Sequence, residues 1–140
     1  MKLAPLALLV AAFAPATSNA QATPGWMLEV PERVEIVAGT GTLPIAITLE
    51  RGRMVSRDAG LVLDLSPDAG ISVKRRRLGW GDAIDPDEDA PRFAVPLRAE
   101  AAGDFTVRLH LRFWVCGSRV CRPVEIRRSV TVSVRSAPAN

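Results

Sequence analysis

Two cysteines and one histidine carry most of the chemistry that this chain could perform near neutral pH. They are Cys116, Cys121 and His110, and the chain has no tyrosine. A cysteine thiolate can exchange disulfides or bind a soft metal, and an imidazole can bind a metal or transfer a proton. So few reactive groups argue against most enzyme classes and direct attention to the cysteines.

The two cysteines lie between two segments in which apolar and polar residues alternate. Cys116 ends the first segment and Cys121 begins the second. The apolar residues of the first segment are Phe105, Val107, Leu109, Leu111, Phe113 and Val115, and those of the second are Val124, Ile126, Val130, Val132 and Val134. Because side chains alternate between the two faces of a strand, this pattern predicts an antiparallel hairpin with one buried face. Both cysteines then have the outward parity, at the two ends of the loop Gly117-Ser118-Arg119-Val120.

Pairing Cys116 with Cys121 fixes the register of this hairpin and places Trp114 opposite Pro123. Proline has no N–H to donate to a ladder, so it belongs at a non-hydrogen-bonded position or at an edge. Opposed pairs alternate in type along an antiparallel ladder, so the cysteines also form a non-hydrogen-bonded pair, with Cα atoms roughly 4.5 Å apart. That separation suits a disulfide. The sequence therefore predicts an intramolecular Cys116–Cys121 disulfide at the mouth of the hairpin.

The polar face of the hairpin also carries charged residues and the single histidine. The register places Arg112 opposite Glu125, an opposite-charge pair that is mildly stabilising. His110 lies six residues before Cys116, roughly 20 Å along an extended strand, so it cannot complete a metal site with the two thiolates. We therefore interpret His110 as an exposed strand residue.

The disulfide could be a structural staple or a redox centre. Closing a loop this short stabilises by only roughly 2 kcal/mol on the chain-entropy estimate, and a chain of this length can bury enough surface to fold without it. The bond lies between Arg119 and Arg122, and a nearby cation lowers the pKa of a thiol and favours the reactive thiolate. Both roles stay open on these residues alone.

The remaining sequence predicts an all-β domain. Apolar and β-branched runs alternate with turn residues, and no segment keeps a helical period over three turns. Gly39-Thr40-Gly41 is predicted as a turn. Seven or eight short strands in about 110 residues are typical of an immunoglobulin-like antiparallel β-sandwich. The predicted strands are Trp26–Val30, Glu32–Val37, Leu43–Glu50, Leu61–Leu65, Ile71–Arg76, Arg92–Arg98, Asp104–Val115 and Val120–Arg135.

A basic run from Lys74 to Arg77 precedes an acidic loop from Asp82 to Asp89. The acidic residues do not follow the spacing of an EF-hand, and a basic run at a strand end is usually a solvated surface. We expect the acidic loop to pack over one end of the sandwich.

The N-terminal residues predict an export signal. Lys2 precedes an apolar run from Leu3 to Phe13, and the small residues Ser18-Asn19-Ala20 follow. This is the layout of a cleaved signal peptide, and the run is shorter than the roughly 20 residues of a membrane span. We expect a signal peptide over 1–20, a leader over 21–25, the domain over 26–135 and a tail over 136–140. The mature protein is then periplasmic or secreted, where disulfides persist.

Length and composition fit one folded domain. The chain has 140 residues, of which 48% are apolar, with 18 Lys or Arg against 15 Asp or Glu. Disordered chains have fewer apolar residues and a larger charge imbalance. We expect a monomer that does not span the membrane after signal cleavage and has no nucleic-acid partner.

The stretch Phe113-Trp114-Val115-Cys116-Gly117-Ser118-Arg119-Val120-Cys121-Arg122-Pro123, after a Gly-Asp-Phe-x-Val-x-Leu strand, resembles the periplasmic N-terminal domain of DsbD thiol:disulfide interchange proteins. That domain is immunoglobulin-like and carries an aromatic residue, a cysteine, a short loop, a second cysteine and a proline. The resemblance implies that Cys116 and Cys121 exchange electrons with thioredoxin-like periplasmic proteins or a membrane electron-transfer protein. It also implies that Cys121 forms the mixed disulfide and Cys116 resolves it. The family surrounds its cysteines with tyrosine, which this chain lacks.

These observations predict a periplasmic thiol–disulfide exchange module with Cys116 and Cys121 as its catalytic pair and no cofactor. The alternative is a non-catalytic exported binding module whose hairpin disulfide is structural. A metallochaperone that binds copper or zinc is a third alternative.

Overall fold

The computed structural model describes residues 25–138, so the predicted signal peptide and most of the predicted leader lie outside the described residues. Over this range the chain forms ten strands and one 3-10 helix, Trp80–Asp82. The strands are β1 (Trp26–Glu29), β2 (Arg33–Val37), β3 (Gly39–Leu49), β4 (Met54–Val55), β5 (Val62–Pro67), β6 (Ile71–Val73), β7 (Arg77–Leu78), β8 (Arg92–Ala99), β9 (Gly103–Cys116) and β10 (Cys121–Arg135).

The strands form the two sheets of a β-sandwich. One sheet has the order β1-β3-β8-β6, and the other has the order β2-β10-β9-β5-β7 with β4 also paired to β9. β2 runs parallel to β10, whereas the other pairs are antiparallel. An immunoglobulin domain groups its strands A, B, E and D in one sheet and C, F and G in the other. The two sheets here reproduce that grouping, so the predicted all-β, immunoglobulin-like sandwich is confirmed.

The core is built from the inward faces of both sheets. Trp26 meets Phe113 edge to face, with ring centroids 5.5 Å apart. No polar side chain of residues 25–138 is buried, so apolar packing supplies the stability of the interior. Its nearly inaccessible side chains include Leu43, Ile45, Ile47, Leu63, Phe93, Leu97, Val107, Leu111, Phe113, Val130 and Val132.

The prediction of a turn at Gly39–Gly41 is wrong. These residues begin β3 and pair with β8. Glycine is needed at position 41 because a Cβ on Gly41 would overlap the side chain of Ile36. Close packing between strands, rather than a turn, explains this glycine.

The prediction also missed β4 and β7 and extended β6 three residues too far. β4 and β7 have two residues each, too few to show a period of two. β6 ends at Val73, before the basic run begins.

Candidate functional site

Cys116 and Cys121 form a disulfide at the mouth of the β9–β10 hairpin, as the sequence predicts. Cys116 is the last residue of β9, Cys121 is the first residue of β10, and the two are opposite each other in the ladder. Their Cα atoms are 4.0 Å apart. Within the loop, the Gly117 N–H donates to the Val120 carbonyl at 2.9 Å. The loop is therefore closed by one backbone hydrogen bond and one covalent bond.

The predicted register is confirmed along the whole hairpin. Trp114 faces Pro123, and the pairing continues without a bulge to the start of β9. On the other side of β10 the Thr131 N–H donates to the Glu32 carbonyl at 2.9 Å. Backbone groups of the odd-numbered residues of β10 thus point away from β9. Pro123 belongs to this set, so its missing N–H leaves no gap in the ladder.

The two cysteines differ in exposure. Cys116 is only 9% exposed, because β4 pairs with β9 on the side away from β10 and places Met54 beside it. Cys121 is exposed. It starts the part of β10 that has no strand on its outer side, since β2 pairs only with Thr131–Arg135. Cys116 lies on the outward face of β9 as predicted, but the sequence does not predict its burial by β4.

Two neighbouring turns form a cleft next to the disulfide. One turn joins β3 to β4, and the other is the hairpin loop. The cleft has a volume of about 500 Å³ and is lined by Arg51, Gly52, Arg53, Gly117, Ser118, Arg119, Val120 and Arg122. Four arginines and no carboxylate therefore surround it. The sequence draws attention to Arg119 and Arg122 because they flank the cysteines, but nothing in it links them to Arg51 and Arg53.

Arg53 joins the two turns by lying against glycines. A Cβ added to Gly117 would be 2.8 Å from Nη1 of Arg53, and one added to Gly25 would be 3.1 Å from its Nε. Gly117 is not among the glycines with positive φ. Glycine at this position therefore makes room for the Arg53 guanidinium rather than for an unusual backbone conformation.

The acidic loop packs against the segment that covers Cys116, not against the cysteines themselves. The Val55 N–H donates to the Asp89 carbonyl at 3.2 Å, and Nη2 of Arg57 donates to the Glu88 carbonyl at 2.8 Å. Trp80 stacks under the Arg57 guanidinium, 4.3 Å from the ring centroid. The loop thus lies over the end of the sandwich that carries the hairpin, with β4 between it and Cys116.

His110 takes part in a surface network away from the disulfide. Its Nε2 lies 2.6 Å from Oε1 of Glu125, and this hydrogen bond lowers the pKa of Glu125. Arg112 faces Glu125 in the ladder as predicted, yet its guanidinium bonds Asp64 at 3.3 Å. The hydrogen bond from Arg77 lowers the pKa of Asp64. Within residues 25–138 no three His, Cys, Asp or Glu side chains form a group suited to a metal ion.

Comparisons with known proteins give a likeness of architecture. No family model matches the chain, and no curated protein matches it. Among solved structures, it is similar to domains 4 and 5 of the S-layer protein SbsC, with 15% identity and a TM-score of 0.40, over 77% of this chain and 50% of that one. It is also similar to AggA, the major subunit of aggregative adherence fimbriae type I from Escherichia coli, with 11% identity and a TM-score of 0.36, over 84% and 100%. The titin–obscurin-like 1 immunoglobulin complex gives 16% identity and a TM-score of 0.31, over 82% and 100%. This chain thus spans about half the length of the S-layer chain.

None of the helical structure in residues 25–138 is long and apolar enough to cross a membrane. The chain is an immunoglobulin-like β-sandwich with a disulfide-closed hairpin and an arginine-lined cleft at one end.

Proposed function

We propose that this chain is an exported, non-catalytic binding module whose Cys116–Cys121 disulfide is structural. The position of Cys116 carries the proposal. It is buried between two paired strands, with Met54 on one side and Cys121 on the other. After reduction the same ladder would keep the two thiols adjacent, so that the disulfide re-forms more readily than either thiol reacts with a partner. Such a bond resists reduction.

The disulfide then serves to fix the hairpin loop. It closes a loop whose residues line the cleft. Its contribution to stability is about 2 kcal/mol on the chain-entropy estimate, small beside the packing of the two sheets. Its larger effect is on the loop itself, because a pre-ordered loop loses less conformational entropy on binding.

The disulfide also supports an address outside the cytoplasm. Structural disulfides form and persist in oxidising compartments and are rare in the cytosol. This agrees with the export signal expected from residues 1–20.

The reduction potential of the mature protein tests this proposal. The protein is equilibrated with defined thiol buffers, and alkylated cysteines are counted by mass. We expect a value below about −300 mV, as for structural disulfides. A value between roughly −120 and −270 mV, the range of thioredoxin-like exchange proteins, would overturn it.

Thiol–disulfide exchange, as the resemblance to the DsbD N-terminal domain implies, is the second candidate function. The exposure of Cys121 beside Arg119 and Arg122 favours it. A partner thiolate would attack Sγ of Cys121, form a mixed disulfide and release Cys116 as a thiolate. A second partner thiolate would then release Cys121 and leave the partner oxidised, so two electrons pass to the pair.

Single-cysteine variants test this second function. Cys116→Ser leaves Cys121 free to form a mixed disulfide that cannot be resolved internally. If exchange is the function, this variant should accumulate a mixed disulfide with an oxidised thioredoxin-like protein, whereas Cys121→Ser should not. For a structural bond, Cys121 in the Cys116→Ser variant should react no faster than the cysteine of an unstructured peptide, because exposure alone then sets its rate.

A further inference from the structure

We propose that the end of the sandwich around the disulfide docks a partner protein through an acidic patch on that partner. This inference rests on the proposed binding function and adds the surface and the chemistry of the partner. The surface, called here the hairpin-end surface, consists of Arg51, Arg53, Met54, Trp114, Arg119, Val120 and Arg122.

The positive charge of the hairpin-end surface is not balanced by carboxylates. Of the twelve arginines elsewhere in residues 25–138, seven form ion pairs with carboxylates and five do not. The paired ones are Arg33, Arg75, Arg77, Arg92, Arg108, Arg112 and Arg127. None of the four cleft arginines has such a pair within residues 25–138, and all four are exposed. Like charges gathered in one cleft repel each other and raise the local concentration of anions. A docked set of carboxylates would relieve this repulsion.

The same end of the sandwich also exposes large apolar side chains. Six large apolar side chains are exposed in the described chain, and three of them belong to this surface: Met54 at 46%, Trp114 at 38% and Val120 at 54%. Met54 lies opposite Cys116, while Trp114 lies two residues before it on β9. Aromatic residues, methionine and arginine are enriched at protein–protein interfaces, and tryptophan and arginine dominate their binding energy.

The backbone of the hairpin-end surface is held in place by several contacts. The disulfide fixes the hairpin loop, the pairing of β4 with β9 fixes Met54, and Arg53 lies against Gly117. A surface that is already ordered binds without losing much conformational entropy. The two turns and the start of β10, which carry the four arginines, thus keep a fixed arrangement.

The apolar residues favour an acidic protein over a simple polyanion. Inorganic polyphosphate would use the arginines but would gain nothing from Met54, Trp114 and Val120. A protein patch in which carboxylates flank apolar side chains uses both parts of the surface.

The test is binding of a defined probe to the mature protein with its disulfide intact. The probe is a short fluorescein-labelled peptide in which glutamate alternates with leucine, followed by fluorescence anisotropy at low and at physiological salt. We expect Arg51→Glu/Arg119→Glu to weaken binding at least about tenfold. The matched control, Arg76→Glu/Arg98→Glu, has the same change of charge at exposed arginines outside the surface and should stay within about twofold. Trp114→Ala should weaken binding several-fold.

Four outcomes would overturn the proposal. One is that the glutamate–leucine peptide does not bind the unmodified protein. A second is that the cleft variant and the control variant weaken peptide binding equally. A third is tighter binding of polyphosphate or of phosphatidylglycerol vesicles than of the peptide, which would indicate a polyanion site or a membrane-binding surface. A fourth is self-association in analytical ultracentrifugation that the cleft variant abolishes, which would indicate a second copy as the occupant.

The reduction potential separates failure of this inference from failure of the proposed function. If the reduction potential is below about −300 mV but the peptide does not bind, the disulfide is structural and the proposed docking surface is wrong. If the reduction potential lies in the exchange range and peptide binding depends on the cleft arginines, the proposed non-catalytic function is wrong and the docking surface is supported.

Discussion

The guanidinium of Arg53 lies against Gly117, the residue that follows Cys116 in the hairpin loop. This contact joins the β3–β4 turn to the disulfide-closed loop and so couples the two sides of the cleft. The position of the Arg53 guanidinium, one of the four charges that line the cleft, thus depends on Gly117, which has no side chain.

Gly117→Ala should weaken binding at the cleft without unfolding the protein. The new Cβ would be 2.8 Å from Nη1 of Arg53, and the end of a flexible side chain can move away easily. We expect the free energy of unfolding in urea to change by less than about 0.5 kcal/mol. Affinity for the glutamate–leucine peptide should fall about threefold.

Gly81→Ala is the control for this substitution, because a Cβ there would meet no atom within 4 Å. It should leave both stability and peptide affinity unchanged. An unchanged affinity in Gly117→Ala would mean that the position of Arg53 does not matter for binding.

Phe113 and Trp114 are neighbours on β9 with opposite surroundings, and their substitutions should differ accordingly. Phe113 is 2% exposed and Trp114 is 38% exposed. Phe113→Ala removes a core side chain and its contact with Trp26, so we expect a loss of about 3–5 kcal/mol in urea unfolding. Trp114→Ala should lose less than about 1 kcal/mol. Similar losses for both would contradict the assigned faces of β9.

The hairpin and its disulfide could be predicted because β9 and β10 are long enough for alternation and register to be read from the sequence. Pro123 alone determines which opposed pairs of the hairpin are hydrogen-bonded and which are not. The cleft could not be predicted, because Arg51 and Arg53 meet the hairpin only through the fold. The burial of Cys116 by β4 could not be predicted for another reason. The two residues of β4, Met54 and Val55, are too few to show a period.

Gly41→Ala tests why the glycine-rich start of β3 is not a turn. The added Cβ would overlap Ile36, so we expect a loss of about 1–3 kcal/mol from overpacking. Ile36→Ala alone should also destabilise, since this residue is 6% exposed. The double variant should lose less than the sum, because the second substitution removes the overlapping atoms. A double-mutant cycle in urea measures this coupling.

Val55→Ala is the control partner for that cycle. Val55 pairs with Val115 near one end of β9, whereas Ile36 pairs with Val134 opposite the other end. The two positions are roughly 40 Å apart along the strand. Combined with Gly41→Ala, Val55→Ala should be additive within about 0.5 kcal/mol. Additivity with Ile36→Ala as well would mean that Gly41 does not accommodate the Ile36 side chain.

Asp68 should make the stability of the fold depend on acid pH. Its Oδ2 accepts the Thr106 N–H at 2.9 Å and its Oδ1 accepts from Arg108 at 3.1 Å, tying the β5–β6 turn to β9. The backbone hydrogen bond from Thr106, followed by that from Arg108, lowers the pKa of Asp68 in the folded protein. A carboxylate with a lowered folded pKa stabilises the fold above its unfolded pKa of about 3.9. That stabilisation is lost as the pH falls through the folded value.

Asp68→Asn should therefore be less stable than the unmodified protein at pH 7, with the gap narrowing below about pH 4. Urea unfolding at a series of pH values measures this gap. Asp58→Asn is the matched control, since Asp58 is exposed and forms no side-chain ion pair within residues 25–138. Its curve should run parallel to that of the unmodified protein. A gap for Asp68→Asn that stays constant down to pH 2 would show that the charge of Asp68 does not stabilise the turn, because asparagine keeps the shape of the side chain and removes only its ionisation.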